Sequence, residues 1–126
     1  MAEFSELMGK TIWRIDGADV GSQLLTFHCA GGEKFRLYHY QDCCEGVDLN
    51  EIIGDISDLI GSPITQAEEA SYNGEPGPDG EVPEYADSYT WTFYRLATVK
   101  GYVTLRWLGE SNGYYSESVD FERIDA

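Results

Sequence analysis

The stretch GVDLNEIIGDISDLIGSP, residues 46–63, decides how the chain is read, because its apolar positions can be counted with a helical period. Leu49, Ile52, Ile53, Ile56, Leu59 and Ile60 recur at spacings that place one apolar stripe on an α-helix. Asp48 stands where it can cap the first turn, and Glu51 three residues later completes a capping box. Gly61 and then Pro63 supply a stop. Gly54 costs such a helix about 1 kcal/mol relative to alanine, which packing must offset. The spacing predicts an amphipathic helix over 48–60.

On either side the pattern shortens to strands. Residues 10–16 alternate Ile12 and Arg14 against Trp13 and Ile15; residues 23–29 and 34–40 follow as a hairpin turned at Ala30, Gly31, Gly32 and Glu33. Residues 63–72 can form another strand. Residues 89–99 and 102–108 are rich in β-branched and aromatic side chains around a Lys100–Gly101 turn, and residues 116–124 alternate Val119 and Phe121 against Asp120 and Glu122. Together these predict an α+β fold, with an antiparallel sheet of about six strands packed by the one helix. A wholly β, barrel-like domain capped by the helix is the alternative. With 126 residues and 42% hydrophobic content the chain supports one core, hence a single domain over 1–126. Within it residues 73–87, rich in Gly, Pro and acids, read as a mobile loop.

Charge is distributed unevenly. Between Arg36 and Arg95 lie 58 residues without lysine or arginine, holding 13 of the 23 acids, so this segment carries nearly all of the net charge of -15. Such a field attracts basic partners and repels nucleic acid and anionic membranes. On the predicted helix Glu51, Asp55 and Asp58 fall at i, i+4 and i+7, opposite the apolar stripe, and Glu68 and Glu69 extend the surface. Duplex DNA carries phosphates at about 3.4 Å per strand, so carboxylates at helical spacing can imitate its field. The plainer reading is a solvated face that keeps the protein soluble. The opening MAEFSELMGK lacks the apolar run of a signal peptide, and three cysteines make a poor disulfide framework; both lead to the expectation of a cytoplasmic protein.

Motifs for catalysis are weak. The segment YHYQDCCEGVD gathers His39, Asp42, Cys43, Cys44, Glu45 and Asp48, but adjacent cysteines chelate one ion poorly, so small buried cysteines are preferred over zinc. Cys43 or Cys44 as a nucleophile assisted by His39 lacks an orienting third group. Neither calcium-loop nor phosphate-loop spacing is met, so no cofactor is expected. With Lys100 and Gly101 as the turn, Arg95 would face Arg106 across the hairpin, relieved by Asp120 or Glu122 or by an anionic ligand. Tyr114 and Tyr115, in the SNGYYSES loop, have the composition of adaptable contact residues.

The segments YHYQDCCEGV, GDISDLIGSPI, WTFYRLATVKG and GESNGYYSESV resemble an uncharacterised domain family of small acidic phage and prophage proteins. The resemblance implies an accessory protein acting on host machinery, and names no catalytic residue. Combined with the charge pattern, it yields the expectation of a non-enzymatic inhibitor of a host defence nuclease, a CRISPR effector or restriction enzyme, acting in the host cytoplasm. Glu51, Asp55, Asp58, Glu68, Glu69, Tyr114 and Tyr115 would form its partner-binding surface. The partner would be a basic nucleic-acid-binding protein. A small-ligand or metal-binding phage protein is the alternative.

Overall fold

A strand and a single 3-10 turn, rather than a helix, occupy residues 46–60 in the computed structural model, which describes residues 3–41, 44–73, 88–113 and 115–125. Eight strands follow one another: β1 (Ile12–Asp16), β2 (Leu24–Cys29), β3 (Lys34–Tyr38), β4 (Gly46–Ile53), β5 (Gln66–Asn73), β6 (Ser88–Thr98), β7 (Gly101–Ser111) and β8 (Asp120–Arg123). Short 3-10 turns lie at Phe4–Leu7 and Ile56–Leu59. The predicted α+β class is therefore corrected. Strands make up 57% of the described residues and no helix among them reaches seven residues, so among the described residues no helix packs the sheet.

The reason lies in one irregularity. Val47 and Leu49 point inward and alternate with Asp48 and Asn50, as a strand requires. A register break between Leu49 and Glu51 then inserts an extra residue, so the next inward position is Ile52, three residues on. A bulge has turned a period of two into an apparent i, i+3 repeat. Gly54 ends any helical continuation, since its φ of +104° is one that L side chains rarely adopt. Its missing Cβ also leaves room for the Tyr102 carbonyl. The turn that does form is capped by Asp55, not Asp48: Ser57 N–H donates to its carboxylate over 3.0 Å.

The strands assemble as two antiparallel four-stranded sheets, ordered β1-β2-β3-β8 and β4-β7-β6-β5. The inner faces meet in one core, where Leu25, Phe27, Phe35 and Leu37 of the first sheet oppose Leu49, Leu96, Leu105 and Trp107 of the second. Each such fully buried side chain contributes about 1.5–3 kcal/mol. The inner face of β6 and β7 thus packs on the other sheet, where a helix was expected to cover the sheet. The β2–β3 hairpin turns where predicted, with Gly32 at a φ of +95°. The β6–β7 hairpin turns one residue earlier than expected, at Val99–Lys100 with Thr98 paired to Gly101, which shifts the cross-strand pairing by two. Because the shift is even, Arg95 and Arg106 still share one face of the hairpin, as the expected pairing implied. The acidic stretch 74–87, Asp42, Cys43 and Tyr114 lie outside the described residues.

Candidate functional site

The register correction changes what the arginines do. Arg106 faces Phe93 and Arg95 faces Thr104, so the two guanidiniums do not oppose each other directly. Arg106 projects from the outer face of the second sheet beside β4, where it donates to Asn50 Oδ1 at 2.8 Å and Glu51 Oε2 at 3.0 Å. Its Cζ lies 4.8 Å from the Trp91 ring centroid. Arg95 stands similarly over Phe93, at 5.5 Å, with Glu68 as its cross-strand neighbour. Glu122, expected to relieve the two arginines, instead accepts from the Tyr38 hydroxyl and Arg36, and these two hydrogen bonds hold its carboxyl below the usual range.

The predicted carboxylate ridge is not formed. Glu51 lies on β4 against a buried arginine, Asp55 caps the turn, and Asp58 lies within that turn. Glu68 and Glu69, adjacent on β5, point to opposite faces of the edge strand and are both exposed. Tyr115 is half-buried. The six described residues of the seven proposed as one binding surface are thus distributed, Tyr114 lying outside the described residues, and row-like phosphate mimicry along a helix has no basis in this fold.

Charge nevertheless separates by sheet. Strands of the first sheet carry Arg14, Lys34, Arg36 and Arg123 against Asp16, Asp120 and Glu122, four bases to three acids. Arg14 and His28 both bind Asp16 at 2.8 Å, and Arg123 holds the Asp125 carboxyl down to about 2. Strands of the second sheet carry Arg95 and Arg106 against Asp48, Glu51, Glu68, Glu69 and Glu110, two bases to five acids. The link from β4 to β5 adds Asp55 and Asp58, and the β5–β6 link contributes Glu75, Asp79, Glu81, Glu84 and Asp87 with no base. Asp48 is partly buried, and that burial raises its carboxyl pKa.

The reactive cluster resolves into a structural clamp. His39 Nδ1 lies 2.8 Å from the Ser118 carbonyl and must carry a proton there, while Nε2 lies 2.7 Å from Glu45 Oε2. Both side chains are buried, so the pair fastens the entry of β4 to the segment before β8. With both nitrogens occupied, His39 cannot serve as the base for a thiol. Cys44, expected to be a buried thiol, is exposed and disulfide-bonded, while Cys29 is free and buried. No three His, Cys, Asp or Glu side chains converge on a metal position among the described residues.

Reading the sequence missed Glu45 as a buried partner, and missed Glu117, which is buried and accepts from Thr90 Oγ1 at 2.8 Å and Ser111 Oγ at 2.5 Å. Polar residues in flanking segments give no hint of such burial. Among the described residues no helix is long and apolar enough to cross a membrane. No curated protein and no solved structure matches the chain. A family model described as a domain of unknown function, DUF7448, matches residues 5–121, which spans seven strands and enters the eighth. The chain belongs to the DUF7448 family.

Proposed function

We propose that the protein acts by binding rather than catalysis, engaging a basic, nucleic-acid-binding partner through its second sheet. The observation that carries this reading is the separation of charge: the first sheet's strands balance their acids, whereas the second sheet and its links hold the excess. Such a one-sided field steers a positively charged groove and disfavours nucleic acid itself. The specific form is a phage-type accessory protein that occupies the DNA groove of a host defence nuclease, a CRISPR effector or a restriction enzyme. Support for the phage setting comes from the four resembling segments.

Exposed charges set encounter rate more than affinity, so aromatic side chains would supply the anchor. Tyr115 is one candidate; Tyr72 and Tyr89, packed on Trp91 and Phe93 at the second sheet's outer face, are others. Cleavage assays with purified CRISPR effectors and restriction endonucleases test the proposal. Inhibition of a member of the panel is expected, relieved by added salt and by prior loading of the nuclease with duplex DNA. A panel wholly unaffected by excess protein, or inhibition insensitive to both salt and DNA, contradicts it.

A further inference from the structure

On one side of the sandwich the sheet edges are stitched shut. Pro63 and Ile60 bridge to Thr11 and Ile12 beside β1, and Gly21 and Ser22 make backbone hydrogen bonds of 2.7 and 2.8 Å with Leu49 of β4. On the other side lie the edges β5 and β8. Among the described residues nothing pairs with the outer side of β5. Backbone bonds from Gly9 and Lys10 reach Ile64 and stop short of Gln66. β5 therefore presents unpaired N–H and C=O groups along a strand of eight residues, against four in β8.

A long open edge is a template for another strand, and proteins commonly blunt one with proline, lysine or a bulge. β5 has none of these. Its sequence QAEEASYN holds no proline or lysine, and its register with β6 runs unbroken from Gln66–Ala97 to Asn73–Thr90. Its guard is acidic: Glu68 and Glu69 are adjacent and exposed, one on each face. Such a guard selects among strands. A second copy of this chain is disfavoured, because two chains of net charge -15 repel, and antiparallel self-pairing centred on either acid sets it against itself. A basic segment is favoured, since opposite charges across a ladder attract. No lysine or arginine occurs from residue 37 to 94, and Arg95, across from Glu68, lies over the Phe93 ring.

We propose that the open edge of β5 binds an extended, dibasic segment of a partner protein as an added strand. The segment's backbone completes the ladder, as in other strand-addition complexes. Because Glu68 and Glu69 point to opposite faces, a strand that meets both needs two consecutive Lys or Arg residues; bases at i and i+2 share one face. On the inner side Glu69 lines a cleft of about 450 Å³ with Glu3, Phe4, Val119 and Phe121, which has room for the apolar stem of one base. The site takes a chain segment, so it stands or falls separately from nuclease inhibition.

Two capped peptides of equal composition test it: Thr-Val-Thr-Lys-Lys-Val-Thr-Val, with consecutive lysines, and Thr-Val-Lys-Thr-Lys-Val-Thr-Val, with both on one face. Each is titrated into the isotopically labelled full chain and followed by NMR. The first should give saturable shifts and slowed hydrogen exchange at those amides of residues 66–73 that face away from β6, and should bind about threefold or more tighter than the second. N-methylating every second residue of the first peptide removes ladder donors, so one phase should abolish binding and the other retain it. Glu68→Gln with Glu69→Gln should erase the preference between the two peptides. Equal affinity of the two parent peptides, or undiminished binding in both N-methylated phases, would reduce the contact to charge alone and overturn the added strand. Slow exchange of the same amides in the free chain would also overturn it, assigning the edge to a second copy where protection grows with concentration and to the chain's own backbone where it does not.

Discussion

Glu51 reads in the sequence as one solvent-facing charge among many, yet in the sheet it neutralises Arg106, whose side chain is only 5% exposed. Breaking a buried pair leaves an uncompensated charge, although Glu51 itself is 46% exposed and solvent softens the loss. Glu51→Lys should therefore lower stability by about 1–3 kcal/mol, while Glu68→Lys, on an exposed edge, should change it by less than about 1 kcal/mol. Urea denaturation of the two variants measures the difference, and equal values would remove the structural role given to Glu51. Tyr94 gives a contrasting case. Because its buried hydroxyl reaches only the Glu69 carboxylate, outside normal hydrogen-bond geometry, Tyr94→Phe should leave stability unchanged or raise it by up to about 1 kcal/mol. Phe4→Ala, which empties the space between Phe27, Tyr94 and Phe121, should cost about 3–5 kcal/mol. A large loss in Tyr94→Phe would mean that this hydroxyl–carboxylate contact is a full hydrogen bond.

At the scale of elements, Gly54 distinguishes the two readings of residues 46–60 by sign. In a helix, alanine at this position would add about 1 kcal/mol. In the observed turn its Cβ meets the Tyr102 carbonyl at a φ of +104°, so Gly54→Ala should destabilise by about 1–3 kcal/mol. Thermal unfolding reads the sign, and a more stable variant would contradict the strand and turn. Most other elements were legible because alternation survives local error. The β2–β3 hairpin follows from its glycine pair, and the faces of β6 and β7 hold even though the turn was placed with Arg95 opposite Arg106 instead of Phe93. What could not be read was the bulge at Asn50, where a strand borrows helical spacing, and the pairing of β4 with β7 across more than fifty residues. The candidate site was less legible than the fold. Local spacing says which acids are near in sequence; the sheet decides that Glu51 meets Arg106, that Glu68 and Glu69 part to opposite faces, and that Glu69 joins Glu3 at a cleft.

Across the whole molecule, pH and charge act through the same carboxylates. Asp16, Glu33, Asp55, Glu122 and Asp125 all have pKa values lowered by hydrogen bonds: from Arg14 and His28 at Asp16, from its own backbone N–H and then Lys10 at Glu33, from Ser57 at Asp55, from Tyr38 and then Arg36 at Glu122, and from Arg123 at Asp125. A lowered folded-state pKa gives stability that is full above the unfolded value and lost as pH falls through the folded one. The loss should begin below the ordinary values of 3.8 and 4.5 and continue to about 2, where Asp125 titrates. Asp48, with its raised pKa, acts in the opposite sense, but five groups outweigh one. Urea unfolding at a series of pH values should show stability declining from pH 4.5 to 2; a rise over that interval would contradict the pairing seen on the first sheet. The central functional claim is that the position of the negative charge matters, not only its amount. Two variants with the same gain of four positive charges separate these. One carries Glu68→Lys and Glu110→Lys on the second sheet; the other places lysine at the exposed apolar residues Met8, Trp13, Leu24 and Tyr40. The measurement is affinity for an inhibited nuclease. The proposed surface predicts that the second-sheet variant loses about tenfold or more while the other binds nearly as the parent does; equal losses in both would contradict it.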